Sequence, residues 1–172
     1  MEELKYPYGR FEYGKKYSPE ETALHISMIT NFPAELRKIT NSLTDAQLEQ
    51  SYRPDGWTAR QIIHHLADSH LNAFIRIKLS LTENSPVIKP YNQDSWAALP
   101  DSEMSPEVSL NILEGIHARW AVLLQNLRED DLKKVYIHPE YNREFPLTEV
   151  IALYAWHGKQ HAGHLSIIQK NN

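Results

Sequence analysis

Six of the nine histidines in this chain fall in two short runs, His64-His65 with His70, and His157 with His161 and His164. Each run lies in a stretch whose apolar residues recur at helical spacing. Histidines four residues apart on a helix share a face about one turn apart, so their imidazoles converge. A third imidazole from another helix completes a three-nitrogen set. Such a set suits a divalent transition metal and leaves positions open for water or substrate. A fold that uses these residues must bring two sequence-distant helices face to face.

Composition narrows the partners. The 172 residues suffice for a full core in a single domain spanning 1–172. A net charge of −4 offers no basic patch and argues against a nucleic-acid partner. The absence of cysteine excludes disulfides, thiolate ligands and a cysteine nucleophile. The start, MEELKYPYGR, has no basic region followed by an apolar stretch, so it does not read as a signal peptide. No apolar run approaches the roughly 20 residues of a membrane span. The expectation is a cytoplasmic enzyme or binding protein with no membrane partner.

Residues 1–17, rich in tyrosine, read as an extended arm packed on the domain or on a partner subunit. Ser18-Pro19-Glu20-Glu21 combines a cap, a first-turn proline and a capping box. The helix it opens is expected to turn Leu24, Met28, Phe32, Leu36, Ile39 and Leu43 inward, with a kink or break at Pro33. Thr44 to Gln47 opens a short helix. Thr58 to Gln61 opens a long one reaching about Thr82. Its apolar stripe is Ile62, Leu66, His70, Ala73, Phe74, Ile77 and Leu81, flanked by a polar file of His65, Ser69, Asn72 and Arg76. From Glu83 to Met104 three prolines interrupt the pattern; a connection of that length suggests a functional segment such as a cover over a site.

Ser105-Pro106-Glu107 starts a helix to about Arg128, with Val108, Ile112, Ile116, Trp120, Leu123 and Leu127 expected inward. Val135–His138 and Arg143–Pro146 read as a small β-hairpin. The last helix, Thr148 to Gln169, puts Val150, Tyr154, His157, His161, His164, Leu165 and Ile168 on one face. The sum is an all-α four-helix bundle with a long loop and a small hairpin. Metal sites in such bundles are built from ligands on facing helices.

A lone histidine on an apolar face is usually a satisfied core residue. Three together leave ring nitrogens to satisfy at about 1–3 kcal/mol each, which favours a metal. The H-x-x-x-H pattern lacks the glutamate of a zinc protease, so peptidase chemistry is not inferred. His164 can be read as a fourth ligand, a proton carrier or a residue bonded behind the ligands, the last being preferred. On the other helix His64 points away from the stripe and is expected to be solvated, while His70 lies in mid-stripe. Periodicity leans towards His65 over His70 without deciding between them. His25, His117 and His138 have no partners at ligand spacing and read as ordinary surface or boundary residues.

Tyr52-Arg53-Pro54-Asp55-Gly56-Trp57-Thr58, followed by Arg60-Gln61 and His64-His65-Leu66-Ala67-Asp68-Ser69-His70, resembles the YfiT-like branch of the DinB superfamily. Tyr6-Pro7 with Gly9, Lys89-Pro90-Tyr91 and Trp156-His157 with His161 and His164 extend the resemblance over essentially the whole chain. It implies a DinB-like four-helix bundle, often dimeric, binding zinc or nickel through three histidines. Carried over, those ligands fall on His65, His157 and His161. Where the superfamily often has glutamine three residues after the last ligand, this chain has His164.

A metal with open positions can activate water for hydrolysis. Proteins of this kind are commonly described as metal-dependent hydrolases, and that is the leading expectation, with Asn72 and Arg76 on the substrate side. The same position can bind a substrate thiolate. Several relatives transfer low-molecular-weight thiols such as bacillithiol or mycothiol, and Arg76, Lys89 or Arg60 would then hold the thiol's acidic groups. A non-catalytic metal-binding stress protein is the third reading. No carboxylate suggests itself as general base, because Asp68 projects away from the inward face.

Overall fold

The capping signals act where the sequence puts them. In the computed structural model, which describes residues 2–170, the Ser18 hydroxyl accepts from the Glu21 amide and the Glu21 carboxylate accepts from the Ser18 amide. A one-turn helix α1 (Glu2–Lys5) precedes α2 (Pro19–Thr40). The boxes at Thr44 and Thr58 open α3 (Asp45–Leu48) and α4 (Ala59–Thr82). Then come α5 (Gln93–Ala97), a 3-10 turn at Pro100–Glu103, α6 (Pro106–Gln125) and α7 (Glu129–Leu132). An antiparallel hairpin, β1 (Val135–His138) and β2 (Arg143–Pro146), leads into α8 (Leu147–Lys170).

Four long helices form a ring in which α2 and α4 each pack on both α6 and α8. Their core divides into two apolar clusters. One holds Ile29, Phe74, Ile77, Trp120, Leu124, Ile151 and Tyr154 with Tyr136 and Phe145 of the hairpin. The other holds Phe32, Leu36, Ile62, Leu66, Leu110, Leu113, Leu165 and Ile168. The order in which each helix visits the clusters gives its direction: α2 and α8 run one way, α4 and α6 the other. Two adjacent parallel helices need a connection that travels back along the bundle. That is what residues 83–104 do, packing α5 and the 3-10 turn along α4. Within this return, Pro86–Ile88 pairs with Ile137 of β1.

Several expectations need correction. The N-terminal arm is not wholly extended, since it opens with α1. Leu24 is 60% exposed, and Val108 and Ile112 also face outward. The inward face of α6 is Leu110, Leu113, His117, Trp120 and Leu124, because its two neighbours α2 and α4 select that face. Pro33 does not break α2, which runs unbroken through it with the proline buried. No helix among the described residues is long and apolar enough to cross a membrane.

Candidate metal centre

Between the two apolar clusters lies a layer of histidines. His65 and His70 come from α4, His117 from α6, and His157, His161 and His164 from α8. One candidate ligand nitrogen from each of His65, His157 and His161 lies within 4.8 Å of the other two. His65 Nε2 and His157 Nε2 are 3.2 Å apart.

Burial keeps this layer neutral. It pulls His65, His117 and His164 down to about 4, and drives His70, His157 and His161 well below the ordinary 6.5. A neutral imidazole carries one proton, and its neighbours decide which nitrogen holds it. His117 Nδ1 is 2.6 Å from the Ile29 carbonyl, which can only accept, so that nitrogen is protonated. His117 Nε2 is then a lone pair and accepts from His70 Nδ1 at 2.8 Å. His70 Nε2 accepts in turn from His157 Nδ1 at 3.2 Å. The proton on His157 Nδ1 leaves its Nε2 bare.

A shorter chain does the same to His161. His164 Nε2 donates to the Lys5 carbonyl at 3.1 Å, so its Nδ1 accepts from His161 Nδ1 at 3.3 Å. Tyr52 stacks on His164 with ring centres 4.0 Å apart and fixes its plane. His161 Nε2 is bare as well.

The donor set can be tested against a metal on these terms. Three imidazoles crowd together, and two of them have their outer nitrogens committed to carbonyl-anchored chains. At most one proton, on His65 Nε2, remains to serve the convergence. A divalent cation satisfies all three nitrogens at once, and neutral imidazole suits zinc or nickel. Hydrogen bonding behind the ligands is the arrangement that orients metal-binding histidines.

Local sequence explains the anchors. Pro33 has no amide hydrogen to give to the carbonyl four residues back, and that carbonyl is Ile29's. The freed oxygen takes the proton of His117. The N-terminal arm is held on α8: Gln160 accepts from the Tyr8 amide and donates to the Lys5 carbonyl, and Trp156 donates to the Gly9 carbonyl. Gly163 makes room for it, because a Cβ there would meet Tyr8 at 2.8 Å and Pro7 at 2.9 Å.

Other predicted residues fall differently. His64 is buried, its Nε2 donating to the Met104 carbonyl and its Nδ1 accepting from Ser109, because the return connection covers that side of α4. His117 and His138 are buried too, 2% and 9% exposed. Spacing could not reveal His117, whose partners lie on other helices. Trp57, which carries no role in the sequence reading, also stands at the centre: its ring centre lies 4.5 Å from that of His65 and it stacks over His161. Its position beside the cap of α4 was the available signal.

A cavity of about 280 Å³ has His157 in its wall, with Ser69, Arg76, Tyr91, Tyr136, Tyr154 and His138. Asn72 is not among its lining residues and donates to the Asp68 carbonyl instead. Asp68 is half-buried, and burial raises its carboxyl.

Fold and site together define a helical-bundle protein with a three-histidine centre able to hold a metal. The comparisons give the family: a profile of the DinB superfamily matches residues 28–165. The chain belongs to that superfamily, in its YfiT-like branch. A Bacillus cereus protein provisionally named a metal-dependent hydrolase is 45% identical over 170 residues, covering 99% of this chain and 98% of that one. A Bacillus anthracis protein with the same provisional name is also 45% identical at the same coverage. Among solved structures, YfiT from Bacillus subtilis, described there with equal reserve as a metal-dependent hydrolase of unusual four-helix bundle topology, superposes with a TM-score of 0.93. It is 39% identical, and the match covers 96% of this chain and 95% of that one. A mycothiol-dependent maleylpyruvate isomerase shares the fold at TM-score 0.67 and 19% identity, over 84% of this chain and 60% of its own.

Proposed function

We propose that this chain is a metal-dependent hydrolase of small molecules. Its divalent ion, zinc or nickel, is held by His65, His157 and His161, with His164 bonded behind His161 and with Arg76, but not Asn72, on the substrate side. One observation carries the reading: three ring nitrogens converge beside a cavity, and two of them are bare lone pairs by the logic of their hydrogen bonds. The provisional names of the curated relatives support it.

When bound, such an ion supplies Lewis acidity, which polarises a carbonyl and acidifies water at an open position. The chain's own residues do the rest. His70 and His164 accept from the Nδ1 protons of His157 and His161, fixing both rings. Trp57 covers one side of the centre and limits solvent there. Tyr91 and Tyr154, phenols neutral at ordinary pH and pushed further up by burial, offer hydroxyls to a substrate in the cavity.

The test is metal analysis of protein purified without an affinity tag, followed by ester hydrolysis and thiol-conjugation assays on the same sample. The expected result is stoichiometric zinc or nickel with ester turnover. In His161→Ala, bound metal and turnover are both lost while the helical circular dichroism remains. Undiminished metal in that variant overturns the ligand assignment. Conjugation of bacillithiol to monochlorobimane without ester turnover overturns hydrolysis in favour of thiol transfer.

A further inference from the structure

Arg76 is 8% exposed, yet among the described residues no carboxylate lies within ion-pair distance of it. A buried charge without a counter-charge is costly, and natural proteins rarely keep one without a use. One arm of its guanidinium donates to the Lys89 carbonyl at 3.0 Å. Around it stand neutral groups: the Tyr91 ring with its centre 5.9 Å away, Tyr154, Tyr136 and His138. Nearby acids are otherwise engaged or outside. Glu149 is paired with Arg143, and Glu140 sits exposed on the cavity rim. Arg60 is tied to Glu49, and Lys89 is exposed, which leaves Arg76 as the cation of the cavity wall.

A second observation comes from the hairpin. His138 lines the same cavity, and its buried Nδ1 has no hydrogen-bond partner. The wall therefore offers the guanidinium donors not spent on the Lys89 carbonyl and the Tyr154 hydroxyl, together with tyrosine hydroxyls, and His157 of the histidine centre stands beside them. A planar guanidinium matches a carboxylate through two parallel hydrogen bonds. A single cation also suits a singly charged group better than a doubly charged phosphate.

We infer that this cavity holds a substrate carboxylate on Arg76, so that the substrates of the proposed hydrolase are acids with the reacting group at the opposite end. The assignment rests on the functional reading above. Arg76 lies eleven residues beyond His65 on α4, about 16 Å along the helix axis. Arg76 and His157 nevertheless line one cavity, so a single ligand can reach both. A short chain such as an adipate monoester bridges the two ends.

The experiment compares 4-nitrophenyl hydrogen adipate with 4-nitrophenyl hexanoate, esters of equal length ending in carboxylate or methyl, on the metal-loaded protein. The expected kcat/KM favours the acid by about tenfold or more, the range of a charged hydrogen-bond pair. In Arg76→Gln that ratio falls towards one, and Arg76→Lys gives an intermediate value. Calorimetric titration with adipate and with hexane-1,6-diol, which has no ester to hydrolyse, reads binding apart from turnover, and needs no variant to fold. Equal turnover of the two esters, or equal binding of diacid and diol, overturns the proposal while leaving hydrolysis intact. Adipate binding lost in Arg76→Gln, with neither ester hydrolysed, supports the carboxylate site and overturns the hydrolase reading. Inorganic phosphate binding more tightly than adipate overturns the choice of carboxylate.

Discussion

Proline at position 33 withholds one amide hydrogen, and the effect reaches three side chains further. The Ile29 carbonyl it leaves free orders the protons of His117, His70 and His157 in turn. Replacing His117 with leucine keeps the bulk and removes the relay. Zinc affinity, measured by chelator competition, should fall, by less than the roughly 10- to 100-fold that losing a direct partner of a ligand costs, because His70 stands between His117 and His157. The buried histidines also set a pH dependence. Their folded pKa values lie below the unfolded 6.5, so above that pH they contribute no slope. As pH falls from 6.5 towards 4 the unfolded chain takes up protons that the folded chain refuses, and stability drops. Each fully engaged histidine adds about 1.4 kcal/mol per pH unit. Urea titrations of metal-free protein at pH 7 and pH 5 should show the lower midpoint at pH 5. At this scale sequence spacing exposed the intra-helix pair His157 and His161. It could not expose His117 or the burial of His64, whose partners come from other elements.

Caps and spacing were the legible part at the level of elements. The boxes at Ser18, Thr44 and Thr58 are local hydrogen-bond patterns, readable because they involve residues three apart. The hairpin strands pair over Val135–His138 and Arg143–Pro146, the ranges expected from sequence. The inward face of α6 was not legible: the helix carries apolar residues around much of its circumference, and only packing against α2 and α4 selects Leu113 over Ile112. The seat of the N-terminal arm was hidden too, since Gly163 means little until Pro7 and Tyr8 lie on it. Gly163→Val should lift the arm from α8 at a cost of about 1–3 kcal/mol, as overpacking does. Limited proteolysis should then cut before Ser18 in the variant under conditions that spare the parent. Because Lys5 anchors His164, the same variant should also bind zinc more weakly.

Across the whole molecule, the return connection that joins the parallel helices α4 and α6 doubles as a wall of the cavity. The polar layer interrupts what would otherwise be one continuous apolar interior. An ion that binds only the folded arrangement adds RT ln(1 + [L]/Kd), about 2.7 kcal/mol at a hundredfold excess over Kd. Differential scanning calorimetry should therefore show the melting temperature rising with added zinc or nickel, and the rise should vanish in His161→Ala. Interrupting the interior at its middle also makes the chain's persistence a gauge of its surroundings. A trace of chelator in the buffer would masquerade as a destabilising mutation, and two preparations of one sequence would age at different rates according to the metal each had met.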